Sequence, residues 1–136
     1  MHKGFLKIAA VLAALSVGIG AFGAHALKGL VSDSAVAIWE TGARYQFYHV
    51  FALFITAIIY KDFPFRITKY AGWLFLAGII LFSGSLYFLA FLQAAVSPDY
   101  KWVGAITPLG GLCFIGGWIL LLIAFFRRKS GIEISV

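Results

Sequence analysis

Four apolar runs, each long enough to cross a bilayer as a helix, take up most of this chain and leave only short connections between them. They are Phe5–Ala24, the stretch from about Thr41 to Tyr60, Tyr70–Gln93 and Val103–Phe126. A hydrocarbon core about 30 Å thick is spanned by roughly 20 residues at a rise of ~1.5 Å each. The first run is interrupted by Lys7, which lies close enough to its end for the ammonium to reach the headgroups. Composition agrees: 62% of residues are hydrophobic and 12% charged, and the mean hydropathy is +0.98. A soluble globule of 136 residues could not cover such a chain with polar surface. The expected fold is an all-α membrane protein, a four-transmembrane-helix bundle. It forms one domain over residues 1–129, followed by a short polar C-terminal tail at 130–136.

The net charge of +6 would suggest nucleic acid in a soluble protein, but these cations sit between the apolar runs rather than among aromatics on one face, so nucleic acid is not an expected partner. They mark topology instead. Lys3, Lys7, Lys61, Arg66, Lys69, Arg127, Arg128 and Lys129 fall on one side of the spans, and Lys28, Arg44 and Lys101 on the other. The positive-inside rule then puts both termini in the cytoplasm. Cys113 is the single cysteine, in an apolar run with neither a disulfide partner nor a metal-ligand pattern, and reads as a packing residue.

Gly18, Gly20 and Gly23 spell the G-x-G-x-x-G dinucleotide fingerprint. That motif needs a preceding strand and water around its phosphates, whereas these glycines lie inside an apolar run. A packing use fits better. Ala10, Ala14 and Gly18 share one helical face, and Ser16, Gly20 and Ala24 another, as small residues do where membrane helices approach closely. Ala24-His25-Ala26 after a basic and then apolar start also meets the pattern of a signal-peptidase site. The length of the apolar core and the charges of the later loops oppose cleavage there.

The segments GAFGAHALKG, WETGARYQFYHVFAL, FSGSLYFL and GAITPLGG, in this order and spacing, resemble the small four-helix membrane family catalogued as domain of unknown function 423. The resemblance covers nearly the whole chain. It implies a multi-pass inner-membrane protein that keeps its first helix, and it implies no reaction.

Polar residues inside the runs are the candidates for function. Ser32, Asp33 and Ser34 offer N-caps for a second helix that continues to Tyr60. Trp39 reads as an interfacial anchor, and Tyr45, Tyr48 and Tyr87 as an aromatic belt. Glu40 and Arg44 are spaced i,i+4 for an ion pair. Counting back from Lys61 puts Arg44 about 5 Å and His49 about 12 Å inside the outer surface. Ser83, Ser85, Thr107 and His25 fall at similar depth on the other helices. Ionisable groups at such depth are costly and turn inward, so His25, Glu40, Arg44, His49, Ser83, Ser85 and Thr107 are expected to form one polar cluster in the outer half of the bundle. Pro108 leaves the Gly104 carbonyl without its helical partner beside Thr107, and Gly110, Gly111, Gly116 and Gly117 allow the fourth helix to pack closely or bend.

Three classes of function compete. Ser83 or Ser85 with His49 and Glu40 can be drawn as a catalytic triad, but nothing in the flanking sequence supports it, and two histidines do not make a metal site. No enzyme activity and no cofactor are expected. A transporter would use Arg44, His49 and His25 to bind a small anion or protons, as an oligomer, because four short helices enclose little volume. A structural or accessory membrane component would use the same cluster to fix helix packing, with the lipid bilayer and a second copy or a membrane protein as partners. The accessory reading ranks first and the transporter second.

Overall fold

The computed structural model describes residues 1–94 and 101–127. These residues form helical rods. The first is α1 (Lys3–Ala21), prolonged by a π-helical segment, Phe22–Leu27. The second is α2 (Asp33–Ile59). The third joins α3 (Arg66–Gly78), a second π-helical segment (Ile79–Ser83) and α4 (Gly84–Ala94) end to end, and the fourth is α5 (Lys101–Phe126). Lys3–Leu27, Arg66–Gln93 and Trp102–Phe126 are long and apolar enough to cross a membrane. α2 has the length but is not among them, because Glu40, Arg44, Gln46 and His49 dilute its apolar character. The tail at 130–136, together with Arg128 and Lys129, lies outside the described residues.

Local chemistry sets the helix starts. The Ser32 hydroxyl accepts from the Ala35 N–H at 3.3 Å and caps α2, as the sequence suggests, with Asp33 in the first turn complementing the helix dipole. At α1 the cap is His2, whose Nδ1 accepts from the Phe5 N–H at 3.2 Å. Between the first two rods the chain reverses at Gly29, whose φ of 98° is open to glycine and strained for a side chain.

α2 is the centre of the assembly. It packs on α1, α3, α4 and the second π segment, while α3 packs on α5. Its inward face is Gly42, Gln46, His49, Val50, Leu53, Thr56 and Ala57, all buried. The main core joins Phe5, Val50, Leu53, Phe75, Phe114 and Leu121, and a second cluster around Leu27, Trp39 and Ala90 closes the far end. The rods approach closely where glycine removes a side chain. A Cβ on Gly110 would fall on the Phe82 backbone, and one on Gly78 would strike the Phe114 ring.

The starts of α1 and α3 and the ends of α2 and α5 share one end of the bundle. There the His2 N–H donates to the Ala57 carbonyl at 2.8 Å, Phe5 packs edge-on against Trp73 at 5.5 Å, and Phe63 meets Phe125 at 5.2 Å. Lys3, Lys7, Lys61, Arg66, Lys69 and Arg127 are exposed at that end, and Lys28 at the other.

The small-residue faces of α1 behave differently from the expectation. Ala10, Ala14 and Gly18 are exposed, and nothing lies within 4 Å of a Cβ placed on Gly18 or Gly20. The buried line is Phe5, Ala9 and Ser16, continued by Gly23 and Leu27. Gly23 and Leu27 lie seven and eleven residues after Ser16, spacings that keep one helical face, and of the fingerprint glycines only Gly23 has a neighbour at its Cβ position, the Trp39 indole.

Candidate functional site

A chain of side-chain hydrogen bonds crosses three rods in the interior. The Tyr87 hydroxyl on α4 donates to Gln46 Oε1 on α2 at 2.9 Å. Gln46 Nε2 donates to Ser16 Oγ on α1 at 2.9 Å. Ser16 Oγ in turn donates to the Leu12 carbonyl at 2.8 Å, one turn back. Gln46 and Ser16 are both buried, 4% and 5% exposed, so in lipid neither has water to turn to. Gln46 stands about 22 Å above Lys61 along the helix, in the half of the bundle remote from the basic end.

His49 lies one turn along the same face, against aromatic rings. Its imidazole stacks on Phe114 with centroids 3.4 Å apart and an 8° tilt, and Phe75 lies 5.9 Å away. Nδ1 stands 2.8 Å from the Tyr45 carbonyl, which can only accept, so the ring proton is on Nδ1. Nε2 is then the acceptor for the Trp118 indole N–H, at a long 3.4 Å. A third polar contact joins the third and fourth rods: the hydroxyls of Ser85 and Thr107 are 2.8 Å apart, and Ser85 also donates to the Phe82 carbonyl at 2.9 Å. Ser83, fully buried at the end of the second π segment, has no hydrogen-bond partner for its hydroxyl among the described residues.

The expected single cluster is therefore divided. His49, Ser83 and Ser85 are buried and Thr107 is half-buried beside Ser85, but His25, Glu40 and Arg44 are exposed. Glu40 and Arg44 do not pair: the ion pair among the described residues is Lys61 with Asp62, at 3.9 Å. Nor does Arg44 join His49. Five residues along an α-helix is a rotation of 500°, which leaves the two about 140° apart around the axis. Depth alone brought them together, and rotation separates them.

Two other expectations change. Trp39 is not an interfacial anchor; it is 6% exposed, donates its indole N–H to the Ile19 carbonyl at 2.9 Å and packs against Tyr87 at 4.6 Å. Tyr87 leaves the aromatic belt to end the polar chain, whereas Tyr45 and Tyr48 remain exposed. Ser16, Gln46 and Trp118 were not among the expected site residues. The signal that could have found Gln46 is its spacing: Gly42, Gln46, His49, Leu53 and Thr56 recur at helical intervals as one face.

The polar chain can be tested by a mutant cycle. Gln46→Leu removes the acceptor of the Tyr87 hydroxyl and the donor to Ser16, and is expected to cost about 1–2 kcal/mol in detergent unfolding. With Tyr87→Phe already in place, the same change should cost less, because no phenol is then stranded. Additive losses in that cycle would break the link.

An all-helical bundle with three rods long and apolar enough to span a bilayer, and with its buried polar side chains other than Ser83 and Gln93 paired inside, defines a multi-pass integral membrane protein. The family model "Protein of unknown function (DUF423)" matches residues 19–111, and the chain belongs to that family. Among similar proteins are the UPF0382 membrane protein SAB0533 of Staphylococcus aureus (strain bovine RF122 / ET3-1), 46% identical over 125 residues that cover 92% of this chain and 97% of the relative, and the UPF0382 membrane protein YwdK of Bacillus subtilis (strain 168), 44% identical over 123 residues, 90% and 95% of the two chains. A third, SH2409 of Staphylococcus haemolyticus (strain JCSC1435), is 43% identical over 125 residues, 92% and 97%. No solved structure matches.

Proposed function

We propose that this protein is a structural or accessory component of the bacterial cytoplasmic membrane, a four-span bundle with both termini in the cytoplasm, acting with further copies of itself or with another membrane protein. The observation that carries this reading is the Tyr87–Gln46–Ser16 chain, in which donors and acceptors from three rods satisfy one another. Groups spent in this way hold helices in register. A cavity of about 260 Å³ opens on the outer face of α1, lined by Lys7, Ile8, Val11 and Leu12, and none of the Tyr87, Gln46 and Ser16 side chains lines it. The crowding of exposed cations at the end shared by the chain start and the α5 terminus supports the orientation.

A transporter is the second reading, and the unpartnered Ser83 hydroxyl beside a π segment favours it, because π segments frequently occur at functional sites. Proteoliposomes holding the purified chain, screened for uptake of small anions and protons, separate the two. The accessory reading expects no flux above empty vesicles. Flux abolished by Ser83→Ala would replace it with transport. A reporter fused after Val136 is expected to register cytoplasmic, and a periplasmic signal overturns the orientation.

A further inference from the structure

The outward face of α2 carries an acid and a base that the chain itself leaves apart. Glu40, Arg44, Tyr48, Phe51, Ile55 and Ile58 follow one another at helical spacing, and all are exposed. The lower four suit lipid or another helix equally well. The upper two are charged: Glu40 lies at the outer boundary counted from Lys61 and Arg44 about 5 Å inside it, where a guanidinium seeks an anion in the headgroups or on a neighbouring helix. The pair is only about 40° apart around the helix, one turn in height, so both charges address the same neighbour.

We propose that this face is the contact between two copies of the chain, with α2 lying parallel to α2 of the partner copy about a two-fold axis along the membrane normal. In such an isologous contact, equal residues sit at equal height. Arg44 of one copy then reaches one turn up to Glu40 of the other, and the two-fold axis makes that bond twice. The face is its own electrostatic complement, and Phe51, Ile55 and Ile58 continue the seam toward the basic end. The contact rests on the reading that α2 crosses the membrane; reporters fused after Leu30 and after Asp62 check it independently of pairing, opposite sides being expected and one shared side overturning it.

The experiment uses the full chain in lipid nanodiscs, with two affinity tags and two charge reversals. Wild-type chains are expected to co-purify as dimers. Glu40→Arg alone gives a seam with cations only and Arg44→Glu alone one with anions only, so each should weaken self-pairing by more than about tenfold. Co-expressed, the two variants should form a heterodimer, since one copy then supplies every cation and the other every anion. A bond within one chain cannot give that result. Helical circular dichroism matching wild type shows that each variant is folded. Monomeric wild type in nanodiscs overturns the proposal, as does the failure of two folded variants to recover pairing when mixed. Unchanged self-pairing of Glu40→Arg overturns it too.

Discussion

Gly110→Val is expected to unseat α5 from the Arg66–Gln93 rod and to cost about 3 kcal/mol or more, the upper range for overpacking. The reason is what stands opposite. A Cβ at Gly110 meets the backbone nitrogen and Cα of Phe82, and a backbone inside a helical rod has no rotamer to change. At Gly78 the obstacle is the Phe114 ring, which can swing at the expense of its stacking on His49. Gly104, with nothing within 4 Å of its Cβ position, serves as the control: Gly104→Val on the same helix should stay within about 1 kcal/mol of wild type. Thermal unfolding in detergent, followed by near-ultraviolet circular dichroism, measures both. Equal losses at the two sites would mean that the rods are farther apart at Gly110 than the structure places them.

Trp39→Ala is expected to cost about 3–5 kcal/mol, as large aromatic truncations do in packed interiors. Three neighbours lose their partner: Tyr87, Phe91 and Phe22, whose ring centroids lie 4.6, 5.3 and 5.4 Å away. Trp39→Phe keeps much of that contact and removes only the donor to the Ile19 carbonyl, so about 1–2 kcal/mol is expected from it. The ordering of the two variants in unfolding experiments is the test. Near-neutral behaviour of both would return Trp39 to the headgroup interface, where its position in the sequence first suggests it belongs.

Three of the rods are legible in the sequence because lipid imposes one requirement on every residue of a span, and a run of twenty apolar residues is hard to mistake. Ser32 is legible for a similar reason, since a cap is a local arrangement. The polar interior is harder. Depth can be counted from a charged boundary residue, and the count selects ionisable groups because they cost most. Rotation about the helix axis is what sorts Arg44 from His49, and the decisive neutral residue, Gln46, carries no charge to draw attention. Tyr87 shows the same ambiguity: its depth near one end fits a headgroup belt and an interior bond equally, and only its facing toward α2 decides. The π segments are less legible still. Each widens the helix for about a turn, and nothing in its composition announces the change.

Four side-chain hydrogen bonds between rods also run in one direction along the chain. Trp39 donates to Ile19, Gln46 to Ser16, Tyr87 to Gln46 and Trp118 to His49; in each of these the donor is made after its acceptor. A chain that enters the bilayer from its N-terminus, span by span as it is synthesised, thus delivers every such indole, carboxamide or phenol to a membrane where its partner is already installed. The groups left waiting are a carbonyl, a hydroxyl, an amide oxygen and an imidazole nitrogen. Of these, Ser16 Oγ already donates to its own helix and the His49 Nδ1 proton is already held by the Tyr45 carbonyl. For these four bonds assembly can therefore follow the order of translation, while at the basic end the His2 N–H waits for the Ala57 carbonyl of the second rod.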